Sequence, residues 1–169
     1  MKKSLVLFTF ISLFFAVFQA QAQNPIAKGQ SQINAGLGLS SRGLPVYIGF
    51  DYGVHDDITV GAELSYRGYR ESLGAGRYTH SIFGILVNGN YHFNNLLNIS
   101  SEWDFYAGLN AGIYIWNTPN DYPGTNPSSF GLGAQIGGRY YFTEKLGVNL
   151  EFGGGHAYGG GKVGLSIKL

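Results

Sequence analysis

Cysteine is missing from this chain of 169 residues, charged side chains make up only 12% of it, and proline occurs five times. Without cysteine there can be no disulfide, no thiolate metal site and no cysteine-borne lipid anchor at a cleavage site. Soluble domains carry roughly 25% charged residues, and a water-facing surface wants roughly 25–35%. This chain lacks the charge for such a surface. Five prolines do not make a low-complexity linker, and a hydrophobic content of 44% excludes a disordered chain. Neither sign of charge is in excess: the formal net charge is +1 and no basic cluster stands out, so nucleic acid is not an expected partner.

Long apolar runs are scarce as well. The longest covers residues 5–18, interrupted only by Thr9 and Ser12. As a helix it would extend about 21 Å, short of the roughly 30 Å hydrocarbon core of a bilayer. Met1-Lys2-Lys3 precedes it and Ala20-Gln21-Ala22 follows, the basic, apolar and small-residue order of a secretory signal peptide. The sequence predicts a signal peptide at 1–22, cleaved after Ala22. The remaining 147 residues (169 − 22) keep 9 basic and 10 acidic groups, a formal charge of −1. They also keep all 27 glycines, or 27/147, about 18% against a usual ~7%. The glycine follows no G-X-Y period, which excludes collagen.

What the mature chain has in quantity is alternation. No stretch shows a useful 3.6-residue apolar period, whereas period 2, the mark of a strand with two unlike faces, recurs throughout. In residues 105–116 the odd positions Phe105, Ala107, Leu109, Ala111, Ile113 and Ile115 are apolar, and the even positions carry no aliphatic side chain. The same pattern marks residues 33–39, 46–53, 58–67, 83–91, 130–140, 148–153 and 163–169, although Ile82 and Leu86 blur the fourth strand. That makes eight strands. Residues 55–57 and 143–145 read as tight turns, and 70–80 and 117–129 as longer polar loops. With the first strand running outward, the tight turns fall on the inner side and the long loops on the outer side. The nine-residue inner connection 94–102 is the exception.

The face opposite the apolar one holds mainly Gly, Asn, Ser and Tyr, too small and uncharged for a solvated exterior but suited to the narrow lumen of an eight-stranded barrel. The apolar face therefore points outward to lipid. A sheet in lipid must close on itself, because open edges would leave N–H and C=O groups unpaired. A sandwich or a soluble barrel would need a charged outer face that is missing. Tyr52, Tyr91, Phe93, Phe105, Tyr140 and Phe142 near the inner strand ends, with Tyr66 and Phe130 near the outer ones, match interfacial girdles. The fold class is all-β: an eight-stranded antiparallel up-and-down transmembrane β-barrel at residues 23–169. Six charges fall on the inward parity, Asp51, Glu63 and Glu151 against Arg67, Arg139 and Lys168, and sum to zero. The connection after the sixth strand sets Arg139 opposite Glu151, a pair expected at the centre of a salt-bridged plug.

In the segments Tyr106-Ala107-Gly108-Leu109-Asn110-Ala111-Gly112 and Gly138-Arg139-Tyr140-Tyr141-Phe142, and in the alternating last strand, the chain resembles small outer-membrane β-barrels. The type is that of the OmpA transmembrane domain and OmpX, in the versions common in Bacteroidota. The resemblance covers essentially all of the mature chain. It implies location in the outer membrane of a Gram-negative bacterium and a structural or surface-interaction role. It also implies outer-membrane lipid and the barrel-assembly machinery as partners, while the polar outer loops 70–80 and 117–129 are the candidate segments for an extracellular ligand. The family usually ends on an aromatic residue; this chain ends on Leu169. Other barrels of this size modify lipid A or pass small solutes. Here His80, Ser81 and His156 do not share one wall, as a nucleophile and its base must, so no enzyme is expected. The four histidines lack metal-ligand spacing and the glycine pairs lie within strands, so no metal or other cofactor is expected.

Overall fold

The computed structural model describes residues 26–40, 43–73, 76–125, 127–155 and 159–169. The expected signal peptide and His156 lie outside the described residues. Eight antiparallel strands follow one another: β1 (Ser31–Ser40), β2 (Val46–His55), β3 (Ile58–Leu73), β4 (Gly76–His92), β5 (Trp103–Asn117), β6 (Ser129–Tyr141), β7 (Leu146–Gly155) and β8 (Gly159–Lys168). Each pairs with its neighbour in sequence, and β1 pairs with β8, closing the barrel. Closure leaves no edge strand around the barrel wall, so the ladder groups within the wall find partners on both sides.

Alternation fixes the two faces. Ile48, Phe50, Val60, Leu64, Ile85, Val87, Leu109, Ile113, Leu132, Ile136, Leu150 and Leu165 all stand exposed on the outside. The buried set is the reverse of a soluble core: Gln32, Asn34, Asp51, Thr59, Asn90, Asp104, Gln135, Arg139, Asn149, Glu151 and Ser166 fill the interior with Tyr47, Tyr106, Tyr114 and Tyr141. Along β3 the apolar outward positions run from Ile58 to Tyr66, and along β5 from Phe105 to Ile115. These spans of nine and eleven residues match the ~9–11 tilted residues that cross a bilayer. Aromatic side chains gather at the inner rim, where Trp103 stacks on Phe105 and meets Tyr140, and Tyr91 meets Phe93 edge-on.

The structure departs from the sequence pattern in two places. Within 70–80, expected as a loop, the described residues continue the ladder: Arg70 pairs with Thr79, Glu71 with Tyr78, Ser72 with Arg77 and Leu73 with Gly76. A mostly polar composition suggested a loop, but two-residue alternation persists through Tyr69, Glu71, Tyr78 and His80. The result is a hairpin that extends seven residues beyond Tyr66, roughly 23 Å at ~3.3 Å per residue. Among the described residues, those from 69 to 80 pair only with one another.

The second correction concerns register between β6 and β7. Arg139 faces Asn149, and Glu151 faces Gly137. Thr143 closes the turn by accepting N–H bonds from Lys145 and Leu146 through its hydroxyl, so the ladder resumes with Tyr141 opposite Gly147. A two-residue slip keeps both side chains inward while changing their partners.

The long inner connection contains one helical turn, α1 (Asn94–Leu97), ended by Asn98 in the left-handed region. Buried Asn94 ties it to β5: its amide donates to the Trp103 carbonyl and its oxygen accepts from the Phe105 N–H. Asn95 donates to Asp57 in the neighbouring turn.

Candidate functional site: the charged lumen

The barrel is narrow, and a charge inside it must find a partner or bear the cost of desolvation. Two cations organise the lumen in the same way. Each bonds a carboxylate from the adjacent strand and one from the opposite wall. Arg139 donates to Asp104, its cross-strand neighbour on β5, at 2.8 Å and to Asp51 on β2 at 2.7 Å. Lys162 lies 2.7 Å from Glu151, its neighbour on β7, and 2.6 Å from Glu63 on β3. Closure of the sheet makes both cross-lumen contacts, since strands remote in sequence face each other across the tube.

Tyr106 joins the two clusters. Its hydroxyl donates to Glu151 at 2.9 Å, and its ring lies 4.3 Å from the Arg139 guanidinium, a cation–π contact between buried groups. Polar side chains take the remaining hydrogen-bonding capacity. Asn34 donates to Asp51, Ser166 to Asn34, Asn149 to Ser166, and Tyr47 to Asn149. Tyr141 donates to Gln32. Gln135 donates to Asn90 and accepts from Asn110. Toward the inner end, His92 meets Asp104 at 2.6 Å and Thr59 at 3.0 Å, all three buried.

The six lumen charges read from the sequence are thus distributed among separate partners. Asp51 and Arg139 share one cluster. Glu63 and Glu151 share another, held together by Lys162. Arg67 donates to Ser40 and stands over the Tyr114 ring; Lys168 stands over the Tyr141 ring at 3.9 Å. The expected Arg139–Glu151 ion pair does not form, because the register sets Asn149 opposite Arg139. Alternation alone missed Asp104 and Lys162, each one position before the apolar residue that opened its assigned strand, Phe105 and Val163. Extending the parity by one residue would have found both. With them, the set becomes four acids (Asp51, Glu63, Asp104, Glu151) and four cations (Arg67, Arg139, Lys162, Lys168), still balanced.

Among the described residues, small voids lie between these side chains, one of about 30 Å³ beside Lys162 and Arg67 and one of about 20 Å³ beside Arg139. Each has room for one or two waters, far from a continuous channel. Toward the outside the filling becomes apolar: Ile82, Leu86 and Tyr114 pack together, with Tyr69 and Trp116 against them. Ile82 and Leu86 are the residues that blurred the fourth strand; they point into the lumen where charge gives way to aromatics. Above them buried His80 is flanked by Tyr69, Trp116 and Tyr122, and Tyr122 donates to Glu71. His80 therefore points inward, as expected, and Ser81 has the opposite parity. Among the described residues no group of His, Asp or Glu could hold a metal ion.

Fold and lumen together define the class: a small closed β-barrel of the transmembrane type, apolar without and polar within. Solved structures agree. The chain is similar to the outer membrane protein OprG from Pseudomonas aeruginosa, with a TM-score of 0.65 at 12% identity over 86% of this chain and 99% of that one. It is also similar to Neisserial surface protein A, with a TM-score of 0.53 at 15% identity over 83% and 94%. Ail, the attachment invasion locus protein of Yersinia pestis, gives 0.55 at 14% identity over 84% and 99%, in a complex with the heparin analogue sucrose octasulfate. What the chain shares with these proteins is the fold of a small outer-membrane barrel. No family model and no curated protein matches the sequence.

Proposed function

We propose that this protein is an integral outer-membrane barrel of a Gram-negative bacterium that acts at the cell surface, with a structural or surface-interaction role and a lumen closed by its own side chains. The inversion of the molecule carries this reading: exposed aliphatic side chains surround the barrel, while Asp51, Asp104, Glu151 and Arg139 are buried inside it. A membrane makes both halves of that arrangement favourable, and water would make both costly. On this reading residues 1–22 direct export and are removed, outer-membrane lipid covers the belt, and the barrel-assembly machinery inserts the chain.

The filled lumen argues against a solute channel. His80, walled in by aromatic rings and opposed in parity to Ser81, argues against a lipid A-modifying enzyme. Surface interaction falls to the outer ends, namely the β3–β4 hairpin and the connection 118–128, since binding commonly lies on segments mounted on a rigid scaffold. The Ail structure, a barrel of this fold with a sulfated saccharide bound, supports that assignment.

Extraction from outer membranes and electrophoresis with and without boiling tests the placement. A fast-migrating unheated form and a slower boiled form are expected; recovery in the soluble periplasmic fraction would overturn it. Planar-bilayer recording tests the plug, and steady ion conductance through the unaltered protein would favour the channel.

A further inference from the structure

The β3–β4 hairpin has two unlike faces above the apolar belt. Its inward face carries Tyr69, Glu71, Tyr78 and His80, and it is covered by Tyr122 and Trp116. Its outward face carries Gly68, Arg70 and Ser72 on β3 and Arg77, Thr79 and Ser81 on β4: two cations, three hydroxyls and no carboxylate. Arg70 and Arg77 are exposed and diagonal neighbours in the ladder, and among the described residues neither has a carboxylate within ion-pair distance. Where this face meets the belt, an open groove of about 310 Å³ is lined by outward residues that include Tyr66, Gly68, Thr79, Ser81 and Asn117, and it also reaches His80 and Pro119.

The height of this groove matters. Tyr66, Phe83 and Ile115 form the last apolar outward row; Gly68, Ser81 and Asn117 form the next, and Arg70 with Thr79 the one above. Successive rows are about 7 Å apart along a strand. A lipid with its acyl chains against the belt would therefore bring its headgroup to the groove and its charged substituents to the arginines. Arginine suits phosphate, which its planar fork can bind through two N–H groups at once. Gly68 keeps the groove open, since a Cβ there would meet nothing within 4 Å.

We infer that the outward face of the β3–β4 hairpin is a binding site for the phosphate-bearing sugar headgroup of an outer-leaflet glycolipid. The inference rests on the outer-membrane placement proposed above. Continuity with the belt favours a lipid over a soluble polyanion, because the groove opens at the membrane edge and Tyr66, part of its lining, belongs to the belt.

The test is titration of the full chain, refolded in detergent micelles, with bisphosphorylated lipid A. Saturable binding is expected, about tenfold weaker for dephosphorylated lipid A and for R70Q/R77Q. G68F, whose Cβ has open space around it and whose ring would occupy the groove, should weaken binding similarly. K145Q, in the inner turn, should leave it unchanged, and inorganic phosphate at equal concentration should not compete. Equal affinity for the two lipids, or unchanged affinity in both R70Q/R77Q and G68F, would overturn the inference. So would loss of heparin binding in R70Q/R77Q with lipid A binding intact, which would assign the arginines to a soluble polyanion. Gel migration of the same preparations reads the barrel separately: a compact form with no phosphate dependence defeats the headgroup site alone, and failure to form any compact, heat-modifiable species in detergent defeats both.

Discussion

At the scale of single residues, the lumen depends on two cations that each hold two carboxylates. Arg139→Met would leave Asp51 and Asp104 buried without their shared partner, and breaking a buried ion pair from one side costs about 3–5 kcal/mol. Urea unfolding of the refolded protein, followed by tryptophan fluorescence, should show a loss of that size. A change below about 1 kcal/mol would mean that water already screens the cluster. Lys162→Met should cost less, about 2 kcal/mol, because Lys162 and its acids keep some exposure beside the larger void, and Lys162→Arg should recover most of it. Much of this was legible in advance. Inward parity identified Asp51, Glu63, Arg67, Arg139, Glu151 and Lys168, because period 2 assigns a face without knowledge of partners. The partners were not legible, because Asp51 and Arg139 are 88 positions apart and meet only across a closed tube.

At the scale of elements, the closing seam between β1 and β8 and the projecting β3–β4 hairpin behave differently. Gly36 and Gly164 are direct partners on the inward face of the seam. A Cβ on Gly36 would run into the Val163 carbonyl, and one on Gly164 into the Ala35 carbonyl, backbone atoms that cannot swing aside. Gly36→Val should destabilise the barrel by about 1–3 kcal/mol and lower the fraction in the compact, fast-migrating form. A full yield of compact form would show that the seam can open to accept the side chain. The hairpin tip should be dispensable to the barrel, since, among the described residues, those from 69 to 80 have no ladder partner outside the hairpin. Replacing residues 69–80 with Asn-Gly joins Gly68 to Ser81 by a two-residue turn suited to a hairpin. The compact form is expected to persist, while the connection 118–128, deprived of Tyr69, Tyr78 and His80, becomes more sensitive to limited proteolysis. Loss of the compact form would show that the barrel depends on the hairpin. The sequence concealed this element because polar residues dominate its outer half, and polarity outweighed alternation in the reading of 70–80.

At the scale of the whole molecule, the missing cysteine becomes an experimental advantage, since any single cysteine introduced can be labelled uniquely. With β1 running outward, Asp121→Cys in the connection after β5 should react with a membrane-impermeant maleimide on intact cells. Glu144→Cys in the turn after β6 should react only after the outer membrane is permeabilised. The reverse pattern would invert the proposed orientation. The sequence by itself determined the class of solvent and the two-faced wall: too little charge for water, too much glycine for large inward side chains, and eight alternating segments that only closure can satisfy in lipid. These are local properties, fixed by side-chain parity and composition, and they need no knowledge of which residues meet. Only the tertiary structure decided how the charges combine, because barrel closure and strand register bring Glu63 to Lys162 and Asp51 to Arg139 from opposite walls. It also decided where the wall ends, since the β3–β4 ladder is held by pairing between its own strands and continues past the point where apolar residues cease.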